Sequence, residues 1–235
     1  NLATLNNLGN TLRKLGNFEL AENYFKIALD KNSNHINSLV SYGSLKYELN
    51  NHQDAIELYK RAISLDGNIF QSHYNLALTY LSLGNFKDAL YYFLEALKIN
   101  PNFTAIDKLI SRFTDYTNNN NHLKNMIDKS QNLTLTEESK ANLYFALGKA
   151  YEDIKDYKKS FDYLKVGNES KKISTEYNIK NDLRIFDTLK NMFKNHKFEK
   201  RLNSIGDKKI IFILGLPRSG TSLVEQIISS HTEVY

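Results

Sequence analysis

The chain has 235 residues, 41% of them apolar and 24% charged, with a formal charge of +5. These proportions are those of an ordinary globular protein of one large or two modest domains. There is no cysteine, which excludes disulfides, thiolate metal sites and cysteine nucleophiles within these residues. The positive charge is spread over many lysines and forms no dense basic block, so it suits an anionic small ligand and does not point to nucleic acid.

The first hundred residues repeat with a step of 34. Gly9, Gly43 and Ala77 share that spacing, as do Ala21, Ala55 and Ala89, and Ala28, Ala62 and Ala96. Phe25, Tyr59 and Phe93 form an aromatic column, and Leu15, Leu49 and Leu83 and Asn17, Asn51 and Asn85 follow the same step. Each unit predicts two amphipathic helices, in the first about Leu2–Leu15 and Phe18–Asp30. Small residues mark close backbone approaches, and bulky ones such as Leu8 and Phe25 fill the gaps. Gly16-Asn17 and Gly84-Asn85 suit left-handed turns between the helices. One pair cannot bury its apolar face, so neighbouring pairs must stack.

After Pro101 the register slips, and Gly148 lies 71 residues beyond Ala77, three more than two repeats. Ile106, Leu109, Ile110 and Phe113 keep helical spacing, and the run Asn118 to Asn121 reads as a loop, giving a degenerate helix pair. "NLYFALGKAYEDIKDYKKSFDYL" then restores the repeat pattern through Leu147, Gly148, Tyr151, Ile154, Tyr157 and Leu164, with Ser160 where alanine is usual. A long amphipathic helix is expected from about Thr175 to Leu202, with Tyr177, Leu183, Phe186, Leu189 and Phe193 on its apolar side.

The last stretch changes character. Ile210 to Leu214 reads as a strand buried on both faces, Gly215 to Gly220 as a tight loop, and Thr221 to Ser230 as a helix with Leu223, Ile227 and Ile228 on its apolar face. Strand, loop and helix form the context of a phosphate loop, in which backbone N–H groups and a helix N-terminus face an anion. Pro217, Arg218, Ser219, Gly220, Thr221 and Ser222 are the candidate ligand-binding residues, with Arg218 able to fork onto phosphate or sulfate oxygens. Thr221 stands where nucleotide triphosphatases place lysine, which argues against ordinary ATP or GTP hydrolysis. Glu225 is read as a residue of the helix surface or one supporting the ligand-binding groups from behind, and His231 as a helix-end histidine rather than a catalytic base.

The 34-residue unit resembles the tetratricopeptide repeat. The loop "GLPRSGTSLVEQIISSH", behind such repeats, resembles the 5′-phosphosulfate loop of the bacterial sulfotransferases that carry them and of the related tyrosylprotein sulfotransferases. That resemblance implies a mainly α chain: a tetratricopeptide-type helical-repeat solenoid followed by the first strand–P-loop–helix of an α/β sulfotransferase domain. Its expected divisions are three repeats over 1–103, a degenerate pair and one further repeat-like unit over 104–172, a connecting helix over 173–206, and the start of the sulfotransferase domain over 207–235.

The same resemblance implies a donor, 3′-phosphoadenosine 5′-phosphosulfate, with sulfuryl transfer to an acceptor hydroxyl, protein tyrosine included, and no metal. Arg218 would be catalytic, and the general base and the 3′-phosphate site are expected beyond Tyr235, so the stretch reads as an inactive fragment of a longer enzyme. Departures from the family pattern are Thr232, where proline is usual, and Ser222, often threonine. The repeats are expected to bind the acceptor or another protein or peptide partner. Neither a membrane span nor a nucleic-acid partner is expected, and a bacterial cytoplasmic location is. Two other readings stay open: a protein–protein interaction scaffold made of the repeats, and a kinase with an atypical phosphate loop.

Overall fold

In the computed structural model, residues 1–118, 121–194, 213, 215 and 221–231 are described. They divide into two compact units, Asn1–Tyr177 and Asn178–Tyr235. The described residues are helical or irregular, with no strand among them.

The first unit opens with three helix pairs: α1 (Leu2–Lys14) and α2 (Phe18–Lys31), α3 (Ile36–Glu48) and α4 (His52–Leu65), and α5 (Phe70–Ser82) and α6 (Phe86–Ile99). One device closes the first helix of every pair. The Gly16 N–H bonds to the Arg13 carbonyl at 3.0 Å and the Asn17 N–H to the Leu12 carbonyl at 2.9 Å. The same two bonds recur at Asn50 and Asn51 and at Gly84 and Asn85. Residues 16, 50 and 84 take φ of 79°, 60° and 72°, a left-handed backbone open to glycine and tolerated by asparagine. The asparagine column of the sequence is therefore the position just after this turn, at the start of the second helix.

The small residues mark contacts at close range, as their spacing predicts. A Cβ added to Gly9 would lie 2.5 Å from the Phe25 ring, and one added to Gly43 would lie 2.6 Å from the Tyr59 ring. Ala21, Ala28, Ala55, Ala62, Ala89 and Ala96 are fully buried along the second helices. Periodicity and burial part company elsewhere. Leu8 on α1 is 39% exposed, and Leu15 and Leu83 lie at turns and stay exposed.

A fourth, shorter pair follows: α7 (Thr104–Ser111) and α8 (Asn121–Ser130). The expected loop from Asn118 ends one residue early, since Asn121 is the first residue of α8. The fifth pair is α9 (Glu137–Asp153) and α10 (Tyr157–Ser174). It regains the regular turn, with Lys155 at φ 65° and the Asp156 N–H bonded to the Tyr151 carbonyl at 3.0 Å. Gly148 again receives a bulky neighbour, here Leu164.

The first helices of successive pairs pack on one another, α1 on α3, α3 on α5 and α7 on α9, whereas α2, α4 and α6 pack on their own partners and on the next first helix. The first helices of the opening three pairs therefore form one continuous layer.

The helix expected from Thr175 begins later. Glu176, at φ 50°, and the Tyr177 N–H bonded to the Lys172 carbonyl end α10 with the same turn that ends α1. In the second unit, α11 (Ile179–Lys194) carries Leu183, Phe186, Leu189 and Phe193 on an exposed side, and Tyr177 lies outside it. The expected continuation to Leu202 lies outside the described residues. The remaining helix is α12 (Thr221–Ser229).

Candidate functional site

The layer made by α1, α3 and α5 carries a row of polar side chains. Asn10 Nδ2 donates to Ser41 Oγ at 2.9 Å, joining α1 to α3. Asn75 Nδ2 donates to Ser44 Oγ at 3.1 Å, joining α5 to α3. Gln71 Nε2 donates to Asn75 Oδ1 at 2.6 Å, and the Arg13 guanidinium pairs with Glu48 across α1 and α3. The 34-residue step places these groups side by side: Ser41 and Asn75 share one register position, and Asn10 and Ser44 another.

Asn10, Ser41, Ser44 and Asn75 are half-buried, so they are held by neighbours yet reachable. Arg13, Ser44, Glu48, Gln71 and Asn75 border a shallow hollow of about 250 Å³, floored by Tyr59. The Tyr59 hydroxyl donates to Ser44 Oγ at 3.2 Å, and burial pushes its pKa up to about 12, so it stays a neutral donor. Arg13 Nε faces away from water without an acceptor, a donor still unused. A carboxamide or hydroxyl both donates and accepts, as a peptide bond does, so this row matches the amides of an extended chain.

Below the row, Glu22 accepts from the Tyr42 hydroxyl at 2.8 Å and from Lys46 at 3.2 Å, and pairs with Lys26 at 2.8 Å. The hydrogen bond from Lys26, helped by those from Tyr42 and Lys46 and opposed by burial, lowers the Glu22 carboxyl from 4.5 to about 2. Of the tyrosines, Tyr59, Tyr80 and Tyr116 are buried and Tyr42, Tyr47, Tyr74 and Tyr92 are half-buried; the polar row itself belongs mainly to asparagine and serine.

The phosphate-loop residues are only partly described. Pro217, Arg218, Ser219 and Gly220 lie outside the described residues, as do Ile210 to Phe212 and Leu214 of the expected strand. Ile213 and Gly215 are described and belong to neither helix nor strand. Thr221 and Ser222 are the first two residues of α12. Glu225 is exposed on α12, as expected, and His231 follows its end with its N–H bonded to the Ile228 carbonyl at 3.1 Å. Leu223 and Ile227 are 60% and 62% exposed. Among the described residues no cluster of histidine and carboxylate side chains could hold a metal ion, and no helix is long and apolar enough to cross a membrane.

Family models of the tetratricopeptide repeat match residues 1–68, 70–103 and 141–165. The chain is a tetratricopeptide-repeat protein. The matches bracket α7 and α8, the pair whose register the sequence breaks. An uncharacterized protein of Aquifex aeolicus (strain VF5) is 38% identical over 101 residues, which is 42% of this chain and 13% of that protein. Among solved structures, a MamA protein aligns with a TM-score of 0.60 at 18% identity over 75% of this chain and 94% of its own. YrrB, described as a tetratricopeptide-repeat protein with an unusual peptide-binding site, aligns with a TM-score of 0.56 at 16% identity, covering 72% of this chain and 86% of its own. These likenesses establish the repeat fold.

Proposed function

We propose that the repeats bind an extended segment of a partner protein along α1, α3 and α5. The observation that carries this reading is the row of half-buried carboxamides and hydroxyls from Asn10 through Ser44 to Asn75. The row offers paired donors and acceptors across three repeats, the pattern an unpaired peptide backbone requires. YrrB, of like fold, is described by its peptide-binding site, which agrees with this use of the repeats.

The test is selection of binding peptides from a random library on the purified chain, followed by calorimetry. Asn10→Ala and Asn75→Ala should each weaken the selected peptides about five- to tenfold, the worth of one hydrogen bond. Selected peptides that bind both variants as tightly as the parent would refute the groove.

A second reading concerns the C-terminal residues. The order Gly-Leu-Pro-Arg-Ser-Gly-Thr-Ser over Gly215 to Ser222, with α12 opening at Thr221, favours an anion-binding loop serving sulfuryl transfer from 3′-phosphoadenosine 5′-phosphosulfate. On this reading Arg218 and the loop N–H groups stabilise the charge that builds on the sulfuryl and bridging oxygens, and no metal takes part. On a chain that also carries the 3′-phosphate site, adenosine 3′,5′-bisphosphate should bind in preference to ATP, and Arg218→Ala should abolish that binding. A preference for ATP would favour the kinase alternative, and no binding of either would leave the repeat scaffold alone.

A further inference from the structure

A cavity of about 690 Å³ opens between α6, α7 and α8, within the range of pockets that enclose small ligands or single side chains. It exists because the fourth pair breaks the repeat. α7 has 8 residues where α1, α3 and α5 each have 13, and α8 packs on α9 while α6 packs on α5 and α7. A gap is left between α6 and α8 that a regular repeat would close.

A buried polar strut holds the gap. Asp107 is fully buried at the register position of Leu39 and His73 in the preceding repeats. Lys129 donates to its carboxylate at 2.6 and 2.9 Å, and His122 Nε2 lies 3.1 Å from Asp107 Oδ1. His122 Nδ1 lies 2.7 Å from the buried Tyr116 hydroxyl. A carboxylate taken wholly out of water is sustained only by such partners, and replacing the set by apolar residues is commonly neutral or better for stability. The strut is therefore better explained by the cavity it keeps open than by stability.

The chemistry of the walls narrows the occupant. Leu90, Leu94, Leu97 and Ile110 supply an aliphatic wall, and the one ring among the described lining residues is the imidazole of His122, already stacked on Tyr116, so a flat base finds little to stack on. Asp107 pairs with Lys129 and Lys98 with Glu95, which leaves Asp128 as the remaining charge among the described lining residues, so an anionic group gains nothing either. The carboxamides of Asn102, Asn121, Asn125 and Asn132 surround the aliphatic wall, each able to donate and accept.

We propose that this cavity is a second peptide site, apart from the groove on α1, α3 and α5, taking one uncharged aliphatic side chain with its flanking peptide amides held by the asparagines. It rests on its own observations and stands or falls separately from the groove.

The test is an NMR titration of the isotope-labelled chain with N-acetyl-leucine-N′-methylamide, the smallest molecule with that side chain between two peptide bonds. Saturable shifts are expected on α6, α7 and α8, with the leucine probe binding about tenfold tighter than its glycine counterpart, the gain of burying an aliphatic side chain. Asn125→Ala, an exposed change that leaves the fold intact, should weaken it about fivefold, and Leu94→Trp should fill the cavity and abolish the shifts. Absence of saturable shifts on these helices, or equal affinity for the leucine and glycine probes, would overturn the proposal. So would 1-pentanol binding as tightly as the leucine probe, which would make the cavity a site for neutral amphiphiles.

Discussion

Replacing Gly43 by alanine tests how closely the repeats are fitted. A Cβ at this position would meet Tyr59 Cε1 at 2.6 Å and Cδ1 and Cζ at 3.0 Å. Ordinary contact begins near 3.4 Å, so the ring must retreat by about 0.8 Å. It has little room, being 1% exposed, and its hydroxyl is tied to Ser44. Overpacking of this kind costs about 1–3 kcal/mol, and stretching the Tyr59–Ser44 bond adds about 1 kcal/mol. The better helix propensity of alanine returns about 1 kcal/mol. The expected net loss is about 2 kcal/mol, a fall in melting temperature of about 4–8 °C for a chain of this size. The assay is thermal unfolding followed by circular dichroism, beside a control in which Ala77→Gly is made in the third pair. There Ala77 is fully buried in one cluster with Phe93, so the methyl belongs to the packing and its removal should also destabilise. A Gly43→Ala protein as stable as the parent would refute the claim that these glycines are set by the aromatic column.

Asp107→Asn should lower stability by about 3 kcal/mol by leaving Lys129 without its buried counter-charge, as a urea midpoint would show. The Glu22 carboxyl, lowered to about 2 in the folded chain against 4.5 unperturbed, contributes stability that is full above about pH 4.5 and is lost as pH falls towards 2. Glu22→Gln should therefore flatten the acid limb of a stability–pH profile while changing little of its curvature above pH 5. Thr136→Ala should remove the 3.2 Å bond from the Ser139 N–H that caps α9 and cost about 1 kcal/mol, read from the same urea midpoint.

The regular repeats were legible because each constraint leaves one residue type in one column. Left-handed turns call for glycine or asparagine at 16, 50 and 84, and ring-on-backbone contacts call for glycine or alanine at 9, 43 and 77. Leu15 and Leu83 show the limit: a column can recur because it flanks a turn and still face water. The later start of the helix expected from Thr175 escaped the pattern because the left-handed residue that closes α10 is Glu176, a residue with no preference for that backbone. The polar row was harder to see, since asparagine and serine are common throughout this chain and only the packing of α1 on α3 and α3 on α5 picks out which of them share a face. Asp107 gave no signal either, because an aspartate in an amphipathic helix ordinarily marks its solvent side, and its partners Lys129 and His122 are 22 and 15 residues away.

The central claim is that α1, α3 and α5 bind an extended peptide. Amide hydrogen exchange of the chain with and without a library-selected peptide tests it most directly. The account predicts slowed exchange along α1, α3 and α5, centred on the helix turns around Asn10, Ser44 and Asn75, with α2 and α4 changing less. Protection confined to other helices, with these three unchanged at saturating peptide, would contradict it.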